Sequence, residues 1–158
     1  MPFPGLAAHS VIAWDFDNTL VDHPKSGAIH QYIRGHPEKR HFIVTFRSFG
    51  WQDDIWTSLA RYPAAPPRDA FAGVINIDDG RFTPAEPQQG PHVDHARLHD
   101  ALRTIDERIL ITNVANYIEW KGESCRRCGA TVLVDDMREL VVPGCEKHGI
   151  CYVHPDDL

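Results

Sequence analysis

The sequence predicts an α/β domain in three layers, with a mostly parallel central sheet covered by helices on both faces. Three observations lead there. Short apolar runs at residues 11–14, 41–46 and 131–134 suit strands buried on both faces. Segments of helical character alternate with such runs along the chain, as strand–helix–strand units require. Two of the runs stop abruptly at acids, one at Asp15 and the other at Asp135 and Asp136. Open α/β sheets collect their functional groups at the carboxyl ends of strands, and these acids sit there.

In chain order, residues 11–14 form the first strand, 26–34 a helix, 41–46 (HFIVTF) the second strand and 51–61 a helix. Residues 63–67 (PAAPP) read as a rigid connection. Residues 71–77 also have strand character, and 78–91, rich in Pro, Gly and Gln, read as an exposed hairpin or loop insertion. A helix over 95–107 then precedes a strand over 108–114 (RILITNV). Helices over 117–127 and 137–142 flank the strand at 131–134, and a strand over 150–153 follows. At 158 residues and 42% hydrophobic content, one domain spanning 1–158 is expected.

Sixteen basic against 22 acidic residues give a net charge of -6, with no general pull toward nucleic acid or anionic membrane. A phosphate-bearing partner must then be gripped locally, by a metal or a few aimed cations. The amino end lacks a signal peptide's basic start and apolar stretch, and no run approaches membrane-spanning length. A soluble cytoplasmic protein is expected. The four cysteines all lie after position 124, too few and too clustered for the disulfide framework of a small secreted domain.

The strongest chemical signal is Asp15-Phe16-Asp17-Asn18-Thr19, directly after an apolar strand. Two carboxylates at this spacing can enter one site while the ring between them faces the core. A divalent cation beside Asp15 would screen its repulsion from a phosphate and orient an in-line attack. Asp17 could protonate the leaving alkoxide and later deprotonate the hydrolytic water. The plainer reading is that the pair caps the following helix. Thr45, with Arg47 two residues on, supplies a hydroxyl and a fork of N–H donors for phosphate oxygens. Lys121, expected near the start of a helix, offers an ammonium to offset charge. Asp135 and Asp136 after a VLV run call for a cation or hydrogen-bond donors.

In this order, DFDNT at residues 15–19, Thr45 in IVTFR, Lys121 and the LVDD ending at Asp136 resemble the haloacid dehalogenase (HAD) superfamily of phosphohydrolases. The resemblance spans most of the chain. It implies a Rossmann-like domain, Mg²⁺ as cofactor, Asp15 as nucleophile and Asp17 as acid and base. Magnesium would be held by the Asp15 carboxylate, the Asp17 carbonyl and Asp136, with Asp135 either ligating or supporting Lys121. Thr45 and Lys121 complete the catalytic set, and Asn18, Thr45, Arg47 and Lys121 the phosphate-binding one. The implied activity is phosphomonoester hydrolysis through an aspartyl-phosphate.

Residues 20–43 leave no room for a helical cap domain, and 78–91 could form a small lid at most. An uncapped site suits a phosphate on a large or extended substrate, such as a polynucleotide end or a phosphoprotein, with small nucleotides and sugars as the other candidates. Phe46, Phe49, Trp51 and Trp56 follow the second motif, where exposed rings could stack a base, although core packing is the commoner use. Cys125-x-x-Cys128 and Cys145-x-x-His148, with Cys151 as a substitute, have the spacing of a structural zinc site. Buried thiols in the core are the equal alternative. The scattered histidines, among them His23, His30, His36, His92, His95 and His99, read as mostly solvated, with His23 near the first motif. Two other functions compete: a zinc-stapled binding module without turnover, and phosphotransfer to an acceptor other than water.

Overall fold

The computed structural model describes residues 3–47, 52–76 and 107–158. Five strands form one sheet: β1 (Val11–Trp14), β2 (Arg40–Thr45), β3 (Gly73–Asn76), β4 (Val132–Val134) and β5 (Cys151–Val153). Among the described residues four α-helices accompany them: α1 (Ser26–Gly35), α2 (Gln52–Leu59), α3 (Glu107–Cys128) and α4 (Arg138–His148). Every strand pair is parallel and the order is β3-β2-β1-β4-β5. The fold is therefore α/β and compatible with a Rossmann-like arrangement. Among the described residues, no helix is long and apolar enough to cross a membrane.

Side-chain alternation along each strand sorts the core into two layers. Ile12 and Trp14 of β1, Ile43 of β2, and Val132 and Val134 of β4 share one face, packed against Ile29, Tyr32 and Ile33 of α1 and Ile55 and Leu59 of α2. Ala13, Phe42, Val44 and Leu133 share the other, packed against Trp120 and Cys125 of α3 and Val141 and Cys145 of α4. Each large apolar side chain so buried is worth about 1.5–3 kcal/mol. With both faces covered, the strands read as continuous apolar runs, which is why they stand out in the sequence. Helix α1 presents its Ile29-Tyr32-Ile33 stripe inward and ends one residue before His36-Pro37, where proline disfavours further helix.

Residues 108–114, expected as a strand, belong instead to α3. A short apolar run does not distinguish strand from helix. Ile111, Val114, Ala115 and Ile118 recur at helical spacing, and neither Gly nor Pro interrupts the chain from 107 to 121. The outer position beside β2 is taken by Gly73–Asn76, the other segment with strand character. Lys121 accordingly lies deep within a 22-residue helix and not near the start of one. The helix expected over 137–142 runs on to His148 through Pro143. The expected helix at 95–107 and the insertion at 78–91 lie outside the described residues, apart from Glu107 itself.

Helices α3 and α4 meet backbone to backbone at Gly122 and Gly144. A Cβ at Gly122 would lie 2.2 Å from the carbonyl carbon of Gly144, and one at Gly144 would lie 2.7 Å from the carbonyl oxygen of Ile118. Only glycine fits at this crossing, and Lys121 is the residue beside it.

Candidate active site

The strand order creates the site. From β1 the chain moves outward through β2 and β3, then returns to build β4 and β5 on the other side. The crevice at the carboxyl ends of β1 and β4 is thus the point where the order reverses, the usual location of α/β binding sites. Asp15 follows β1 there and Asp135 follows β4. Their backbone N–H groups extend the ladder by one step, Asp15 donating to Val134 O at 2.9 Å and Asp135 to Val153 O at 3.1 Å. By alternation both side chains fall in the layer of Ala13 and Leu133, the layer that α3 covers.

Lys121 reaches from α3 into that gap. Its Nζ donates to Asp15 Oδ1 at 2.6 Å and to Asp135 Oδ2 at 2.5 Å, with the lysine 1% exposed and Asp135 fully buried. The Phe46 ring lies 4.4 Å from the ammonium and closes one side. Burial works against the charged lysine, but Asp135 and Asp15 outweigh it and hold its pKa above the usual value. Asp135 also accepts the Met137 N–H at Oδ1, 2.8 Å, and its carbonyl accepts the Tyr152 hydroxyl at 2.6 Å. With both carboxylate oxygens engaged, Asp135 is built to hold Lys121.

Asp15, Asp135 and Asp136 bring ligand oxygens within 4.8 Å of one another. Burial, then the neighbouring Asp135, raises the Asp15 pKa against the pull of Lys121. Burial likewise raises that of Asp136, whose carboxyl lies within 4.8 Å of that of Asp15. Three carboxyl groups and one ammonium share this buried place, and the raised pKa values of Asp15 and Asp136 reflect the cost of ionising all three there without a further cation. A divalent cation fits that donor set: hard oxygen ligands, with the carboxyls of Asp15 and Asp136 less encumbered than that of Asp135.

Asp17 stands apart from this cluster. Its carboxylate is 47% exposed and accepts both arms of the Arg47 fork, Nε to Oδ2 at 2.9 Å and Nη2 to Oδ1 at 2.7 Å. The Arg47 guanidinium lies 4.7 Å over the ring of Phe16, which is buried between the two aspartates in sequence. Thr45 is buried and its Oγ1 accepts the Arg47 N–H at 3.0 Å, while Asn76 Nδ2 donates to the Arg47 carbonyl at 3.0 Å. A hydroxyl that accepts one bond can still donate its own proton. Asn18 is exposed with φ 56°, and together with Asp22 (φ 61°) turns the loop after β1 back on itself. That loop is pinned from below: Ser26 Oγ donates to Thr19 O, and His30 Nε2 bonds Leu20 O at 2.7 Å.

His30, expected at a solvated surface, is instead fully buried. Helical spacing from Ile29 and Ile33 is the signal for it in the sequence. His23 bonds Asp156 Oδ1 through Nε2 at 2.9 Å and accepts the Lys25 N–H at Nδ1, so it ties the loop to the turn at Pro155–Asp157. Phe46 is buried, and Trp56 packs on Phe71, with Arg68 4.8 Å over its ring. Both serve packing, while Phe49 and Trp51 lie outside the described residues. Phe46, Tyr152, Gly122 and Gly144 support the site; Phe46 lies within the second motif, and no sequence motif marks the other three for it.

The expected zinc ligands are not gathered. Cys125 and Cys145 are buried in the α3–α4 layer, Cys128 donates its Sγ proton to Cys125 O, and Cys151 is exposed. His148 turns to Glu119, Nε2 to Oε1 at 3.2 Å, and groups with Glu119 and Glu123. Helix α3 continues through Cys128, so its cysteines sit on a packed helical face and not in a turn that could wrap an ion. Burial pushes the Cys145 thiol up to about 12 and the Cys125 thiol well above its usual value, favouring S–H over the thiolate that zinc takes.

Fold and site together define an α/β protein with a lysine-bridged carboxylate cluster at the reversal point of a parallel sheet. Compared with known proteins, the chain matches no family model, no curated protein and no solved structure.

Proposed function

We propose that this chain is a Mg²⁺-dependent phosphomonoesterase of HAD type, with Asp15 as its nucleophile. The observation that carries the reading is the placement of Asp15: at a strand end, beside Asp136, with Lys121 on Oδ1. Thr19 Oγ1 stands 3.5 Å from the other oxygen, at the outer limit of a hydrogen bond, which leaves Oδ2 the better placed to attack. In the first step that oxygen bonds phosphorus, the bond to the leaving oxygen breaks, and Asp17, which must leave Arg47 and take a proton from solvent before this step, gives that proton to the departing alkoxide. In the second, water attacks the aspartyl-phosphate, Asp17 takes a proton from it, and inorganic phosphate leaves with the Asp15 carboxylate restored.

The Asp15 and Asp136 carboxylates and the Asp17 carbonyl are the groups assigned to Mg²⁺, which when bound screens the repulsion between carboxylate and phosphate. Lys121 adds a fixed positive charge, Asp135 positions it, and Thr45 offers a hydroxyl to the phosphoryl oxygens. The connection from residue 20 to 43 holds only α1 and the start of β2, in keeping with an uncapped site and a phosphate at the end of a nucleotide or polynucleotide.

The test is Mg²⁺-dependent hydrolysis of p-nitrophenyl phosphate by the parent protein and by Asp15→Asn, with circular dichroism to verify the fold. The variant should release no phosphate above background. Full activity in it would remove Asp15 from the mechanism. A panel of nucleotides, sugar phosphates, phosphopeptides and 3′- and 5′-phosphorylated oligonucleotides then identifies the substrate class.

A further inference from the structure

We infer that the Asp17–Arg47 pair is a latch opened by the phosphoryl group, so that capture of the anion by Arg47 is what releases the Asp17 carboxylate. The anion's identity rests on the phosphate-ester reading above; the latch itself rests on geometry. Both Asp17 oxygens are taken by the two arms of one guanidinium, at 2.9 and 2.7 Å. In that state neither oxygen is placed to pass a proton to or from another group. A carboxylate and a phosphoryl group present the same face to a guanidinium: two oxygens matched to two parallel N–H bonds. Asp17 therefore occupies the Nε–Nη2 edge of Arg47 as a substrate phosphate would, and the two compete for that edge.

The surroundings favour exchange of the head groups over movement of the backbone. The Arg47 main chain is fixed on both sides, by the Thr45 hydroxyl and the Asn76 amide at the ends of β2 and β3. Its guanidinium rests on the Phe16 ring, a flat support that directs its plane without holding its N–H groups. Asp17, nearly half exposed, can leave the fork for water without an uncompensated burial. An anion with two free oxygens and charge to match is needed to displace it, so the pair also discriminates against neutral or singly contacting ligands.

Calorimetric titration with inorganic phosphate in the presence of Mg²⁺ tests the latch without requiring turnover. The set is the parent, Asp17→Asn, Arg47→Met and the double variant, each verified as folded by circular dichroism. Asn accepts only one of the two bonds and carries no charge, so Asp17→Asn should tighten phosphate binding about tenfold while Arg47 is present. In the Arg47→Met background the same change should alter affinity by less than about twofold. Equal tightening in both backgrounds would assign the effect to net charge and overturn the latch. So would no tightening beside Arg47, or no phosphate binding by any of the four. A protein that shows the non-additive pattern yet hydrolyses no ester would keep the latch and lose the phosphatase reading.

Discussion

Replacing Gly122 by alanine sets packing against helix propensity, because the two act with opposite sign. Propensity alone favours the change by about 1 kcal/mol within a helix. The structure opposes it: the new methyl carbon would lie 2.2 Å from the Gly144 carbonyl carbon, 2.3 Å from its oxygen and 2.7 Å from the Cys145 nitrogen. Comfortable carbon contacts need about 3.5–4.0 Å, so α3 and α4 must part by roughly 1.3–1.8 Å. Overpacking of this kind costs about 1–3 kcal/mol. The neighbouring Lys121 moves with the helix, and its bonds of 2.6 and 2.5 Å to Asp15 and Asp135 cannot follow. Weakening a buried ion pair adds to the loss, up to about 3–5 kcal/mol if it breaks. Urea denaturation should therefore show Gly122→Ala destabilised by roughly 3 kcal/mol or more. Gly27, in the first turn of α1, is the control, since nothing lies within 4 Å of the place its methyl would take. Gly27→Ala should be neutral or stabilising by up to about 1 kcal/mol. If Gly122→Ala matched the parent in stability and in any Asp15-dependent activity, the argument from the helix crossing would be wrong.

Other outcomes are equally specific. Lys121→Met should lower stability at neutral pH by about 3–5 kcal/mol, and the loss should shrink in acid as Asp15, whose pKa burial raises, takes up a proton; denaturant midpoints across pH measure both. Burial, foremost, lowers the pKa of His41, whose Nδ1 accepts the Trp14 N–H at 3.1 Å, and of His30. Because the unfolded chain protonates these rings near pH 6.5 while the folded chain keeps them neutral, their contribution is complete above that pH. It falls as pH drops from about 6.5 toward the lowered folded values, and the slope should flatten in His41→Gln and His30→Gln. Cys125→Ser and Cys145→Ser should each destabilise by about 1–3 kcal/mol through burial of a hydroxyl, equally with and without added zinc in thermal melts.

Much of the sheet is legible in the sequence because buried parallel strands are short apolar words. Val11–Trp14 coincides with its expected span, and the strands around Ile43 and Leu133 differ from theirs by a residue. The run at 108–114 misleads because an apolar run of that length occurs in helices as well as in strands, and composition over seven residues does not choose between them. Asp15, Asp135 and Asp136 are each marked by a polar interruption after an apolar run, Lys121 only by its place in the order of motifs, and the fold brings all four together. Asp17 and Arg47 both carry a signal, but their mutual pairing depends on how the loop after β1 faces the end of β2, which no local pattern encodes. The cysteine spacing misleads for the opposite reason: it is a local pattern that suits an ion only if the backbone turns, and α3 does not turn there.

Alternation along the strands imposes an arithmetic on this site. Asp15 meets Lys121 because it is an odd-numbered step along β1, in the set of Ala13, while Ile12 and Trp14 look the other way. Inserting or deleting one residue in β1 would swing the carboxylate beneath α1, among aromatic rings and away from its ammonium. The lengths of β1 and β4 are thus quantised in pairs, and drift in either strand must proceed by twos or abandon the chemistry.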